Sequence, residues 1–136
     1  MWLYNENEFG IKDIGDDVAF VYLITNLLTN KKYIGKKNFY FQKTRQVKGK
    51  KKRYKEISDW LSYYGSNEEL KNDVLQYGEG AFKREILRLC KTKGEASYFE
   101  AKFQFETDCI LSEQYYNSWI SCRVRKSHLK NLQQAT

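Results

Sequence analysis

Two short runs, VAFVYLIT at residues 18–25 and KYIG at residues 32–35, decide the fold of this 136-residue chain. The first run is apolar, aromatic and β-branched, which is typical of a buried strand. Asn26 and Asn30 lie between the two runs, and asparagine is common in turns. The pattern therefore predicts an antiparallel β-hairpin in which the second run is the returning strand.

Working outward from this hairpin, the sequence predicts a helix, a strand and a second helix. Ser66 and Glu69 have the spacing of a capping box and a glycine follows at position 78, so a helix is predicted over 67–77. The run FKREILRLC predicts a third strand over 82–90, and apolar residues at helical spacing predict the longest helix over 95–111. This order indicates an α/β fold, a small three-stranded antiparallel sheet flanked by helices.

The length and composition fit one globular domain. The chain is 41% hydrophobic and 16% aromatic, which excludes disorder over its whole length. No apolar run is long enough to span a bilayer and the N-terminus lacks a signal-peptide pattern, so we expect a cytoplasmic protein with no membrane partner. Three widely spaced cysteines and a single histidine disfavour a disulfide framework and a Cys/His zinc site.

The positive charge is concentrated in one segment. The chain has a formal charge of +7, yet the stretch from Lys31 to Lys55 holds twelve Lys and Arg with no acidic residue. Lysine and arginine side chains release counterions when they contact phosphates, so the segment favours a nucleic-acid partner. A solvated charge run is the alternative. A second basic cluster comprises Arg123, Arg125, Lys126 and Lys130.

Tyr22 and Tyr33 are separated by eleven positions, and Tyr33 begins an unaltered Tyr-Ile-Gly triplet. With Phe20-Val21-Tyr22 in the place of Gly-Ile-Tyr, the sequence resembles the GIY-YIG nuclease family. The resemblance covers about residues 18–120. The chain is short, and in this it is similar to stand-alone members of the family that phages and mobile elements encode, some of them homing endonucleases.

The resemblance implies a site around the two tyrosines. Glu100, in the run Ser-Tyr-Phe-Glu-Ala, resembles the glutamate with which the family binds its metal, and Glu106 is the fallback. A carboxylate suits Mg²⁺ or Mn²⁺. Asn117 resembles the asparagine that helps to hold the site. Gly35 allows the backbone to approach phosphate or a neighbouring strand closely.

The family also places an arginine after the second tyrosine, where it contacts the scissile phosphate. At the commonest spacing this chain has Lys43, so the role is expected to pass to Arg45 or, if the basic segment is an insertion, to Arg53. Arg45 is preferred because it lies nearer the family position. The histidine that some members carry after this arginine is missing.

The activity implied by the resemblance is hydrolysis of DNA phosphodiester bonds by a metal-dependent endonuclease. Tyr22 would take a proton from the attacking water, and Tyr33 would position that water or the phosphate. Because an ordinary tyrosine has a pKa near 10, this role predicts that Lys36 and the metal depress the pKa of Tyr22.

The resemblance and the charge pattern together define three parts of the chain. These are an N-terminal extension over 1–17, a nuclease-like domain over 18–120 with a basic DNA-binding insertion at about 36–55, and a basic tail over 121–136. Double-stranded DNA is the expected partner. The cations expected to contact it are Lys36, Lys37, Lys48, Lys50, Lys51, Lys52 and Arg53.

Sequence recognition is expected to be shallow because no helix-turn-helix or zinc finger is evident. One site cuts one strand, so a double-strand break requires a homodimer, a higher homo-oligomer or two successive visits. Two other functions stay open. One is a non-catalytic DNA- or RNA-binding module that retains the fold, and the other is an RNA-associated protein whose tyrosines stack bases.

Overall fold

The computed structural model of the protein describes residues 1–132, so residues 133–136 of the expected basic tail lie outside the described residues. Within 1–132 the strands are β1 (Trp2–Tyr4), β2 (Asn7–Phe9), β3 (Ala19–Asn26), β4 (Lys32–Asn38), β5 (Tyr40–Val47), β6 (Lys50–Ile57) and β7 (Phe82–Cys90), and the α-helices are α1 (Glu68–Tyr77) and α2 (Lys93–Glu106). Short 3₁₀ turns lie at Ile11–Asp13, Trp60–Ser62, Glu79–Ala81, Cys109–Leu111 and Lys126–Leu132.

The hairpin on which the sequence interpretation rested is the centre of the fold. β3 and β4 pair antiparallel with Tyr22 opposite Gly35 and Leu23 opposite Ile34. β7, predicted over the same residues that it occupies, pairs antiparallel with the other edge of β3. The predicted α/β class and the order of these elements are confirmed.

The sheet is larger than predicted. It has five strands in the order β2-β1-β7-β3-β4, and β1 runs parallel to β7. The predicted three-stranded antiparallel sheet is therefore wrong in its size, although the three predicted strands do pair antiparallel. The two extra strands come from residues 1–17 and have three residues each. Strands this short carry too little alternation to be recognised in a sequence.

Both α-helices form where they were expected, with different ends. Asn67, not Ser66, caps α1, since its Oδ1 accepts a hydrogen bond from the backbone N–H of Leu70 at 3.0 Å. α2 begins after its cap Thr92 and ends at Glu106. The predicted extension to residue 111 is wrong because Asp108 adopts a left-handed conformation (φ 51°) that ends the helix.

Alternate residues of β3 face two separate apolar clusters, as expected of a strand covered on both sides. Phe20 and Tyr22 pack on one face among other aromatic rings, including that of the fully buried Trp60. Val21 packs on the opposite face against α2, where Phe99 contributes. No helix within residues 1–132 is long and apolar enough to cross a membrane.

Most of the basic segment, predicted from the sequence as an insertion at about 36–55, forms a β-hairpin in which β5 and β6 pair over their whole length. Phe39 anchors its base, with its ring 4.8 Å from that of Phe20 and 5.0 Å from that of Trp60. The backbone N–H of Ser58 donates to the carbonyl of Phe39 at 2.8 Å. Beyond this base the paired strands extend away from the five-stranded sheet.

Candidate active site

A pocket of about 520 Å³ lies at the free edge of β4. Side chains from β4, α2, the start of α1 and the segment after the 3₁₀ turn at Cys109–Leu111 reach it. Its walls expose somewhat more polar than apolar surface. They are formed by Tyr33, Lys36, Ser66, Asn67, Glu100, Gln104, Asn117, Ser118, Trp119 and Ser121.

Glu100 is the only carboxylate among the described residues that line this pocket. It projects from the middle of α2 beside the apolar stripe that packs on the sheet, which leaves it half-buried. Burial raises the pKa of Glu100 above its ordinary value, and the charge and backbone of Lys36 oppose this shift. A partly desolvated carboxylate of this kind gains from a bound cation.

Asn117 is buried and holds the middle of the Tyr-Ile-Gly triplet. Its Oδ1 accepts from the backbone N–H of Ile34 at 3.0 Å, and its Nδ2 donates to the carbonyl of Ile34 at 2.8 Å. β4 is the edge strand, so these two backbone groups have no strand partner on that side. The amide of Asn117 thus takes the place of a neighbouring strand and fixes the position of β4.

Gln104 completes this clamp and was not singled out from the sequence. Its Nε2 donates to the carbonyl of Ile34 at 3.1 Å, while its buried Oε1 has no hydrogen-bond partner within residues 1–132. Its position relative to Glu100 could have indicated it from the sequence. Gln104 follows Glu100 by four residues, and residues four apart lie on the same face of a helix. It therefore places a free acceptor one turn from the carboxylate.

Tyr33 lines the pocket from the opposite side of β4. Its hydroxyl lies 3.2 Å from the Oγ of Ser66, with which it shares a hydrogen bond. Burial raises the pKa of Tyr33, so the phenol is protonated at neutral pH. Ser66, assigned to a helix cap from sequence, is instead part of the pocket wall.

Tyr22 does not line the pocket, because only 1% of its surface is exposed. It lies directly beneath the Tyr-Ile-Gly triplet. A Cβ built on Gly35 would be 2.6 Å from Cζ of Tyr22 and 2.9 Å from Cε2 of Tyr33. Gly35 is therefore required for both tyrosines to occupy their positions.

The chain's own groups do not lower the pKa of Tyr22. Burial, followed by the neighbouring hydroxyls of Tyr63 and Tyr33, raises the pKa of Tyr22 well above its ordinary value. Lys36 does not offset this effect, because its ammonium group is hydrogen-bonded to α2 on the other side of the sheet. The Tyr22 hydroxyl therefore stays protonated and acts as a hydrogen-bond donor.

The two lysines that follow the triplet have different environments. Lys36 lines the pocket, and its Nζ donates to the Oγ of Ser97 on α2 at 2.6 Å. Lys37 forms an ion pair with Asp59 at 2.7 Å and lies 4.2 Å above the ring of Tyr63. Of the two, Lys36 alone lines the pocket.

The structure does not bring Arg45 or Arg53 to this pocket. Both lie on the exposed β5–β6 hairpin, where Arg45 is opposite Lys52 and Arg53 is opposite Thr44. Arg45 stacks 5.4 Å from the ring centre of Tyr54 on the same hairpin. The remaining lysines that were expected to contact DNA, Lys48, Lys50, Lys51 and Lys52, are exposed on the hairpin as well.

The donor set suits a magnesium-like cation with one protein carboxylate. Residues 1–132 contain no cluster of three or more His, Cys, Asp or Glu side chains that could enclose a metal. Mg²⁺ is usually held by one or two carboxylates, with water and substrate phosphates completing its shell. Glu100 and the unpaired Gln104 Oε1 fit that pattern. Glu106 does not, because it lies outside the pocket and pairs with Lys102 at 4.0 Å.

The pocket thus combines a half-buried carboxylate, a lysine and a phenol, all placed around one strand. A family model described as "Putative endonuclease segE, GIY-YIG domain" matches residues 2–120. The chain is 34% identical over 98 residues to "Putative endonuclease segE" of Enterobacteria phage T4, a match that covers 72% of this chain and 39% of the relative. No solved structure matches the chain.

Proposed function

The chain belongs to the GIY-YIG domain family of SegE, and from this premise we propose that it is a divalent-cation-dependent endonuclease that hydrolyses phosphodiester bonds of double-stranded DNA. The observation that carries the proposal is the placing of Glu100, Lys36 and Tyr33 in one pocket on the edge of the Tyr-Ile-Gly strand. The chain spans about two fifths of the length of the curated relative that it matches. The activity is therefore proposed for this chain alone, and not carried over from the whole relative.

Glu100 would hold the cation, Mg²⁺ or Mn²⁺, and Gln104, one turn further along α2, would fix the pocket strand beside it through the carbonyl of Ile34. A cation held by Glu100 would supply Lewis-acid polarisation of the scissile phosphate and would stabilise the charge on the leaving oxygen. The half-burial of Glu100 supports this role, because a desolvated carboxylate is stabilised by an adjacent positive charge.

Lys36 takes the charge-neutralising role that the resemblance assigned to Arg45. Its ammonium group lines the pocket near Glu100, whereas the guanidinium groups of Arg45 and Arg53 do not. The Ser97 hydroxyl orients the Lys36 side chain through the hydrogen bond at 2.6 Å. A fixed cation beside the phosphate stabilises negative charge that develops on its oxygens in the transition state.

The two tyrosines act as protonated donors. Tyr33 lines the pocket and donates a hydrogen bond to the phosphate or to the attacking water. Tyr22 is buried beneath it and positions Tyr33 and Gly35. The raised pKa of Tyr22 argues against the role of proton acceptor that the resemblance implied, since a base must be available in its deprotonated form.

Incubation of the purified chain with supercoiled plasmid tests the proposal. We expect nicked or linear DNA in the presence of Mg²⁺ and none after addition of EDTA. Salt-dependent DNA binding with no product at any divalent-cation concentration would contradict the endonuclease proposal and favour the non-catalytic binding module.

Tyr22→Phe should slow cleavage by roughly 10- to 100-fold, the usual effect of losing a group that orients a metal site from outside it. The loss arises because the Tyr22 hydroxyl packs against Gly35 and Tyr63 and so fixes the position of Tyr33. Single-turnover cleavage rates of the wild type and of Tyr22→Phe measure this decrease. Tyr4→Phe, a change on β1 outside the pocket, is the control.

The pH dependence of the ratio of wild-type to Tyr22→Phe cleavage rates shows whether Tyr22 acts as a hydrogen-bond donor or as a general base. A donor whose pKa lies well above 10 stays protonated, so the ratio of wild-type to Tyr22→Phe rates should be constant between about pH 6.5 and 9. If Tyr22 acted as the base, its active form would become about tenfold more abundant with each pH unit, and the ratio would rise accordingly.

Replacement of five hairpin cations by glutamine should weaken DNA binding in a salt-dependent way. The residues are Lys48, Lys50, Lys51, Lys52 and Arg53. Each phosphate contact that is lost should flatten the slope of log K against log salt concentration by about 0.9, because fewer counterions are released. Anisotropy titrations from about 50 to 200 mM salt measure this slope. A slope equal to that of the wild type would exclude the hairpin from the interface and direct attention to Arg123, Arg125 and Lys126.

A further inference from the structure

The β5–β6 hairpin is an isolated two-stranded ribbon. Its strands pair over eight positions, from Tyr40 opposite Ile57 to Val47 opposite Lys50. The connecting residues Lys48 and Gly49 have φ angles of 50° and 77°, as in the two-residue turns that suit twisted hairpins. Strands of this length extend about 27 Å. Nearly all of the ribbon's residues are exposed, so both of its faces are open to solvent.

The strand register sorts the side chains onto two faces, because directly opposed residues point to the same side. We name one the aromatic face, formed by Phe41, Lys43, Arg45, Val47, Lys50, Lys52, Tyr54 and Glu56. We name the other the amide face, formed by Tyr40, Gln42, Thr44, Gln46, Lys51, Arg53, Lys55 and Ile57. The two faces therefore differ in chemistry as well as in direction.

Several side chains of the aromatic face contact one another. Lys43 forms an ion pair with Glu56 at 2.5 Å and lies 5.9 Å from the ring centre of Phe41. Arg45 lies 5.4 Å from the ring centre of Tyr54. These contacts hold two of the cations of this face against the ribbon and support its strand pairing.

The amide face has free hydrogen-bonding groups. The side chains at its centre, Gln42, Thr44, Gln46, Lys51 and Arg53, make no hydrogen bond or ion pair with any other residue in 1–132. Glutamine, threonine and arginine are among the side chains that pair with base edges, Gln with adenine and Arg with guanine. They are arranged here in two adjacent rows, flanked by lysines.

We propose that the amide face lies against base edges in the major groove of duplex DNA and gives the protein a sequence preference. The major groove, about 12 Å wide, admits a two-stranded ribbon and presents a distinct donor and acceptor pattern for each base pair, whereas the minor groove, about 6 Å wide, presents a degenerate one. Residues 40–57 hold eight Lys and Arg and one acid, which complements the phosphates on both sides of the groove. The proposal rests on DNA being the substrate of the proposed function.

The ribbon is joined directly to the pocket strand. β4 ends at Asn38 and β5 begins at Tyr40, and the intervening Phe39 is buried in the core. The bases that the ribbon contacts are therefore at a fixed distance from the phosphate that is cut. Since the ribbon extends about 27 Å, the preferred bases should lie within roughly one helical turn of the cleavage site.

Two substitutions at adjacent positions separate base contact from phosphate contact. Arg53→Gln and Lys52→Gln each remove one positive charge, but Arg53 lies on the amide face and Lys52 on the aromatic face. The full chain and each variant are used to select duplexes from a randomised pool in buffer without divalent cation, and the bound DNA is sequenced. The double variant Gln42→Ala/Gln46→Ala, which leaves the charge unchanged, is the third member of the series.

The wild type should select a base pattern. Arg53→Gln and the glutamine double variant should each lower discrimination at one or more positions by about tenfold or more. Lys52→Gln should lower affinity for all sequences alike and keep the pattern. No pattern from the wild type, tighter binding of RNA than of duplex DNA, or the same pattern from all variants would overturn the proposal.

The outcome of this selection is independent of cleavage. A chain that selects a base pattern but never cuts would support the ribbon proposal and refute the endonuclease. A chain that cuts in the presence of Mg²⁺ but selects no pattern would refute the ribbon proposal alone.

Discussion

Glu100→Ala should reduce DNA cleavage by about 10³-fold or more while leaving DNA affinity nearly unchanged. The carboxylate is the only acidic group among the described residues that line the pocket, so no neighbour can replace it as the cation ligand. Affinity should persist because residues 40–57 of the hairpin hold eight Lys and Arg against one acid, an excess that equals the net charge of the whole chain. Cleavage rates and binding constants of the two proteins, measured on one duplex, test both statements.

Glu106→Ala is the matched control on the same helix. Glu106 is exposed, pairs with Lys102 and lies outside the pocket, so its loss should leave the rate unchanged. Thermal unfolding should show that Glu100→Ala is as stable as the wild type, because burial disfavours the charged form of this carboxylate. An inactive Glu106→Ala with an active Glu100→Ala would show that the cation ligand is the other glutamate.

Gly35→Ala should reduce cleavage by about 10²-fold or more and lower the free energy of unfolding by about 1–3 kcal/mol. The added Cβ would meet the hydroxyl oxygen of Tyr22 and would be 2.6 Å from its Cζ. Tyr22 is fully enclosed by other rings and cannot move aside without disturbing them. Both tyrosines would therefore be displaced from the pocket strand.

Gly80→Ala is the control for this change. Gly80 lies in a 3₁₀ turn before β7, and a Cβ added there would have no atom of the described residues within 4 Å, so the variant should keep its activity and stability. Cleavage rates and urea unfolding of both variants provide the comparison. A Gly35→Ala protein with wild-type activity would show that the positions of the two tyrosines are unimportant for cleavage.

Most of the sheet was predictable because its central strands carry strong local signals. The apolar β-branched run of β3 and the returning Tyr-Ile-Gly strand are recognisable from composition alone. The N-terminal strands were not, since Trp2 and Phe9 become sheet residues only through pairing with neighbouring strands and packing on a core formed by distant residues. The end of α2 depended on the left-handed conformation of Asp108, which no pattern of apolar spacing indicates.

The site was predictable as far as a family resemblance and residue spacing extend. They bring Tyr33, Glu100 and Asn117 to one pocket. Electrostatic environment is a property of the folded molecule, so the raised pKa of Tyr22 could not be inferred from its sequence neighbours. The placing of Arg45 on an extended ribbon likewise depends on how the strands of the basic segment pair.

The measurement that tests the endonuclease proposal most directly is single-turnover cleavage started by addition of Mg²⁺. Wild-type protein and Glu100→Ala are each bound in chelator to duplex DNA, with protein in excess, and Mg²⁺ is then added above the chelator concentration while products are resolved over time. We predict no product from either complex before Mg²⁺, rapid product from the wild type afterwards and none from Glu100→Ala at equal occupancy. Product formed by the wild type in chelator, or at equal rates by both proteins after Mg²⁺, would contradict the role of Glu100 as the ligand of a required cation.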